Sequence, residues 1–250
     1  MDFKIYTLGR FSLVRNGETI RFKRKPPKKP MLMLKVLVAL GGREVRKEMI
    51  ADAIWPESEG DTAERSFATT LHRLRKLVQN HKIILLNNGC LTLNQKLCWV
   101  DVWAFERMCG KADAAWEREG RSVADAINLT QKAIQLYNGS FLMEEIQEPW
   151  SALLRDRLRS KYMRCIGKIG SYWEKTNQLE KAIDCYQRSL EADGSEEESY
   201  RRLMACYYRQ GKNEKAISVY DRCKRVFSLM YGIKPSQETE VLRKTIQVVG

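Results

Sequence analysis

Apolar positions change their period several times along the first ninety-odd residues. Phe3 and Ile5, Phe11 and Leu13, then Ile20 and Phe22 alternate with other residues, as in half-buried strands, and Asn16-Gly17 is a tight-turn signal between two of these runs. KRKPPKKP (23–30) predicts a loop, because proline suits neither helix interior nor strand. PMLMLKVLVALGG, Pro30 to Gly42, is apolar nearly all round and predicts a buried helix that opens on its proline and stops at the glycine pair. Val45 to Pro56 predicts a second helix, with Met49, Ile50, Ala53 and Ile54 on one side and a stop before the proline. DTAERSFATTLHRLRKLVQN, Asp61 to Asn80, predicts a third, over 62–79, with Asp61 or Thr62 as N-cap and Glu64 in its first turn. ILLNNGCLTL then reads as a hairpin turning at Asn87-Asn88-Gly89.

From about Trp99 the pattern is helical. RSVADAINLTQKAIQLYNG predicts an amphipathic helix closed by Asn138-Gly139, and a long helix opens at EPW. LEKAIDCYQRS (179–189) and NEKAISVYDRC (213–223) share Glu, Lys, Ala, Ile, Tyr and Arg at an offset of 34 residues, the tetratricopeptide period. That register puts Gly170, Trp173, Ala182 and Tyr186 at the small and aromatic positions of one copy, and Leu203, Tyr207, Ala216 and Tyr220 at those of the next. Met204 stands where the pattern has glycine, and Gly194 and Ser228 where it has proline.

The third helix carries the candidate chemistry. At 100° per residue, Ala63, Leu71, Leu74 and Val78 fall within about 40° of Phe67, flanked by Thr70 and Leu77. Thr62, Arg65, Thr69, His72, Arg73 and Lys76 collect on the opposite side, with no acid among them. An ordinary solvated face mixes signs, because like charges at helical spacing repel. Arg can fork onto guanine O6 and N7, Thr can touch a thymine methyl, and Lys and His can meet phosphate, so the stripe suits a major groove.

Charge supports that reading. Residues 1–95 hold 18 Lys/Arg against 9 Asp/Glu, a net +9, whereas 96–250 hold 26 against 22, a net +4. The excess sits on the part with the basic helix, as expected where one domain meets a polyanion. Six cations lie between Arg21 and Pro30. Of these Lys23, Arg24, Lys25, Lys28 and Lys29 are expected to neutralise phosphate or to form a solvated loop. Arg46, Lys47 and Lys82 are further phosphate candidates, and Asn87 and Asn88 at the hairpin tip are candidates for a minor groove. No nucleotide-binding, nucleophile-elbow or zinc-protease motif occurs, and His72 and His81 are the two histidines, so neither catalysis nor a cofactor or metal is expected. Seven scattered cysteines without C-x2-C spacing read as buried free thiols. The opening residues lack an export signal and no apolar run is long enough for a membrane span, which predicts a cytoplasmic protein.

Three helices and a hairpin behind a small sheet make an OmpR-type winged helix-turn-helix, here followed by an all-α tetratricopeptide-like domain. ATTLHRLRKLV followed by LLNNGCLTL, then VDVWAFE, YNGSFL, the 34-residue copies and YGIKPSQET, resembles the SARP-type bacterial transcriptional regulators over essentially the whole chain. The resemblance implies an OmpR-type DNA-binding domain over 1–96 and a bacterial transcriptional activator domain over 97–250. It also implies a transcriptional activator that binds direct repeats near promoters as side-by-side dimers and contacts RNA polymerase. Similar domain pairs form the carboxyl end of larger ATPase-carrying regulators. The alternative is a protein-interaction adaptor, with the winged helix as a docking module and the repeats holding a peptide.

Overall fold

Alternation in the first twenty residues produces two strands, β1 (Phe3–Tyr6) and β2 (Ser12–Arg15), and a short β3 (Glu18–Thr19). The structure, a computed structural model, describes residues 2–22, 27–57, 60–117 and 122–248. Asn16 and Gly17, at φ 51° and 86°, form the two-residue turn joining β2 to β3. That turn pairs Arg15 with Glu18 and Val14 with Thr19, so the third strand falls two residues earlier than the apolar pair Ile20 and Phe22 suggests.

Three further strands follow, β4 (Val45–Arg46), β5 (Ile84–Asn87) and β6 (Cys90–Leu93), and then β7 (Cys98–Val100). One sheet has the order β3-β2-β1-β7, with β7 parallel to β1, and the other the order β4-β6-β5. Three helices lie between them in sequence, α1 (Lys28–Ala39), α2 (Lys47–Ile54) and α3 (Gly60–Val78).

Each helix starts away from its expected residue, for a physical reason. α1 begins at Lys28, so Pro30 sits in its first turn, where a missing N–H costs nothing. Val45 and Arg46 are strand rather than helix, because they pair with Leu91 and Cys90 and complete the three-stranded wing. α3 is already helical at Gly60, so Asp61 lies in its first turn rather than at the cap. The interior of α1 is buried from Met33 to Val38, as its all-round apolar sequence requires.

The helical remainder comprises α4 (Asp101–Glu117), α5 (Val123–Leu136), α6 (Pro149–Lys175), α7 (Leu179–Ala192), α8 (Glu197–Arg209), α9 (Asn213–Tyr231) and α10 (Gln237–Val248). The 34-residue repeat has a backbone counterpart. Asn177 and Gly211 are one period apart and both left-handed, at φ 57° and 70°. Behind them Gln178 N–H donates to Trp173 at 2.8 Å, and Lys212 N–H to Tyr207 at 2.9 Å, closing the same turn twice. Ala182 and Ala216 are fully buried, and Gly170 lets Tyr186 approach so closely that an added Cβ would lie 3.0 Å from its ring. α9 is longer than α7 because Ser228 continues the helix where Asp193 and Gly194 end the earlier copy. All seven cysteines are free, and six are buried. Burial pushes the Cys98 thiol up to about 12 and Cys185 up to about 11.

The chain forms two compact units that are not separated by a single cut: residues 1–107 with 136–158, and residues 108–135 with 159–250. Within the first, a buried carboxylate joins β1 to α4. Asp101 accepts from Thr7 N–H at 2.6 Å, Thr7 Oγ1 at 2.7 Å, Leu8 N–H at 2.7 Å and Val102 N–H at 2.8 Å. The segment 138–142 is strapped alongside: Gly9 N–H donates to Ser140 and Leu142 N–H to Thr7. Gly9, at φ 87°, is required there, since a Cβ would lie 2.7 Å from the Asn138 carbonyl oxygen. Lys35 pairs with Glu145 of the same unit and stands 4.7 Å from the Phe11 ring centroid. Replacing Asp101 by Ala leaves the buried Thr7 and Leu8 N–H groups without partners, and urea unfolding should show a loss of about 3 kcal/mol.

Candidate nucleic-acid interface

α3 is positioned by its apolar stripe. Phe67, Leu71, Leu74 and Val78 are buried together with Thr70, and α3 packs on α1. Burying that side turns the opposite one outward. Thr62, Arg65, Thr69, His72, Arg73 and Lys76 are all exposed, as their spacing predicts. None of the six has a hydrogen bond or ion pair among the described residues. The stripe therefore presents two guanidiniums, an ammonium, an imidazole and two hydroxyls, all unengaged.

The helix is tethered at several points. Just past its first turn, Glu64 Oε1 lies 2.7 Å from Lys47 Nζ. The hydrogen bond and charge of that pair hold the Glu64 carboxyl below its ordinary value and raise the Lys47 amine. At its last turn Arg15 of β2 donates from Nη2 to the Leu77 carbonyl at 3.0 Å and pairs through Nη1 with Gln79. Cations suit a helix carboxyl end, where carbonyls lack partners. Arg75 turns away from the outward stripe and donates from Nε and Nη2 to the Ile84 carbonyl, at 3.1 and 2.9 Å.

The wing brings several other candidates together. Asn87 and Asn88 are exposed at its tip, where Asn88 and Gly89 form the two-residue turn at φ 49° and 75°. Arg46 pairs with Cys90 beside that turn, and Lys47 N–H donates to Gly89 at 2.8 Å. Lys82 is exposed at the other end of the hairpin, in the single helical turn His81–Ile83. Lys28 and Lys29 open α1, but Lys29 Nζ donates to the Ile54 carbonyl at 2.8 Å and so also closes α2. Lys23, Arg24 and Lys25 lie outside the described residues.

Sequence patterns single out neither Arg15 nor Arg75, and they offer Glu64 only as a helix-start acid. For Arg75 a signal existed: it sits about 80° from Phe67, on the flank of the buried stripe rather than opposite it. The contacts of Arg15 depend on long-range packing and left no local trace. Among the described residues there is no group of three or more His, Cys, Asp or Glu suited to a metal, and no helix long and apolar enough to cross a membrane.

An amino-terminal sheet, three helices and a wing, followed in the chain by tetratricopeptide-like helices, define an OmpR-type winged helix joined to an all-α domain. The profile of the family described as BTAD, bacterial transcriptional activator domain, matches residues 100–247, and the chain belongs to that family as a SARP-type regulator. Regulatory protein AfsR of Streptomyces griseus is 22% identical over 221 residues, covering 86% of this chain and 22% of that protein. The structure of Mycobacterium tuberculosis EmbR in complex with a low-affinity phosphopeptide superposes with a TM-score of 0.73 at 18% identity, covering 99% of this chain and 65% of that one. The chain thus spans less than two thirds of the length of either.

The Glu64–Lys47 pair gives a test of the tethering. Because Glu64 has a lowered carboxyl value, the pair's contribution is present at neutral pH and is lost as the pH falls through that value. The urea midpoints of the native chain and Glu64→Gln should therefore differ slightly at pH 7 and converge on acidification.

Proposed function

We propose that this regulator is a sequence-specific DNA-binding transcriptional activator, acting in the cytoplasm, that places α3 in the major groove. The observation that carries this is the unengaged cationic stripe of Arg65, His72, Arg73 and Lys76 with Thr62 and Thr69, all exposed on a helix whose other side is fixed in the core. Arg65 and Arg73 have the fork that reads guanine, and the threonines have methyls for thymine. Arg46, Lys47, Lys82 and Lys28 flank the stripe's domain as phosphate contacts, and Asn87 and Asn88 reach from the wing. DNA falls to the winged helix, whose sheet β7 completes, and protein contacts fall to the helical repeats. Those contacts are RNA polymerase and a second copy of the chain, on direct repeats. An adaptor role has no comparable observation, since peptide docking leaves the net +9 of residues 1–95 without a purpose.

Selection of a random duplex pool by the purified chain tests this. Enrichment of a repeated motif spaced by about 10–10.5 base pairs, one helical turn, is expected. Retention of DNA only at low salt with no motif enriched overturns the reading. On the selected duplex, Arg73→Ala and Arg65→Ala should each lower the ratio of specific to random binding by roughly tenfold or more. Lys28→Ala should weaken both duplexes alike and make the salt dependence shallower by about one phosphate contact.

A further inference from the structure

We propose that Arg75 is a positioning residue for DNA readout: it fixes the wing relative to the outward stripe of α3. The inference rests on the DNA-binding reading and goes beyond it by assigning a role to a cation that faces away from the proposed groove.

The geometry carries it. β5 is the edge strand of the order β4-β6-β5, so on one side its backbone groups have no strand partner. Ile84 opens that strand, and its carbonyl takes both the Nε–H and an Nη2–H of Arg75. Two donors in a planar fork on one acceptor fix a direction as well as a distance, which an ammonium cannot do. Arg75 sits one turn after Leu71 and immediately after Leu74, both buried, so its own backbone is anchored in the core.

The other end of the hairpin is seated differently. There the Gly89 carbonyl accepts from the first residue of α2, Lys47, at 2.8 Å. Among the described residues, the Arg75 fork is the only side-chain hydrogen bond from α3 to the wing strands. From Ile84 to the tip at Asn88 the strand runs about 13 Å, so a change of ~10° in its direction moves the tip by about 2 Å. A shift of that size breaks the Lys47 hydrogen bond as well, since such bonds fail beyond about 3.5 Å. Arg75 therefore governs whether Asn87, Asn88 and Arg46 stand at a defined distance from Arg65 and Arg73. Arg15 supplies the natural control: it also donates to a backbone carbonyl in this region, but it ties α3 to β2 and not to the wing.

The test uses the full chain on the duplex recovered by selection, read by hydroxyl-radical footprinting and by affinity. The native chain should protect a central groove segment and a flanking segment under the wing. Arg75→Met should keep the central protection, lose the flanking one and bind roughly tenfold more weakly, with a melting temperature close to that of Arg15→Met. Arg15→Met should keep both protections. Arg75→Lys, which retains the charge without the fork, should resemble Arg75→Met. If Arg75→Lys instead matches the native chain, Arg75 acts as a simple phosphate cation and the proposal fails. It also fails if the Arg75→Met footprint is unchanged, if protection is lost evenly across the site, or if the native footprint has no flanking segment. A native chain that selects no motif and leaves no footprint defeats the DNA-binding reading itself.

Discussion

Everything at the candidate interface depends on α3 burying one narrow stripe against α1. α1 is apolar nearly all round and buried over most of its length, so it offers a surface and little choice of partner. Phe67, Leu71 and Leu74 recur at helical spacing and can satisfy that surface in only one rotation of α3 about its axis. Once that rotation is set, Arg65, Thr69, His72, Arg73 and Lys76 have nowhere to go but outward. Their like charges cost something on the free protein, and none of them is in an ion pair among the described residues. Such a cost is understandable where a polyanion will supply the missing charge.

The amount of this that was legible in the sequence follows the range of the interactions. The outward stripe, the two asparagine-glycine turns and the 34-residue repeat are local, and each was readable because a few neighbouring residues determine it. Asn16-Gly17 and Asn88-Gly89 adopt left-handed backbone in both hairpins. The features that were misplaced or missed all come from partners distant in the chain. Val45 and Arg46 looked helical by period and became a strand because Leu91 and Cys90 pair with them. Arg15 reaches Leu77, sixty-two residues away, and no pattern in its own neighbourhood announces it. Asp101 is buried under four donors, yet in the sequence it is merely an acid at a helix start.

The helical repeats show a different economy. Where the consensus glycine is kept, at Gly170, the Tyr186 ring closes onto the helix backbone. Where it is replaced, at Met204, the side chain is itself fully buried, in a cluster with Ala216, Tyr220 and Ile246. The second copy thus fills with methionine the space the first leaves for a close helix approach. The turn between paired helices is held constant by its backbone instead, with Asn177 in one copy and Gly211 in the other tolerating the same left-handed conformation. Departures from the repeat pattern are packing solutions rather than decay of the repeat.

The strap at 138–142 and the carboxylate of Asp101 carry a consequence for how the chain can be divided. β1 is an inner strand only because β7 lies beside it, and the residues just after it, Thr7 to Gly9, find partners in Asp101, Ser140 and Phe141. A fragment ending at residue 96 would bare a flat strand edge made of Phe3, Lys4 and Ile5, together with amides made to be covered. Such an edge is a template for joining the same edge of another molecule, so the fragment would be prone to self-associate through its sheet. Residues 98–101 and 138–142 are in this sense a built-in cover for the sheet that precedes them, and belong to the same compact unit.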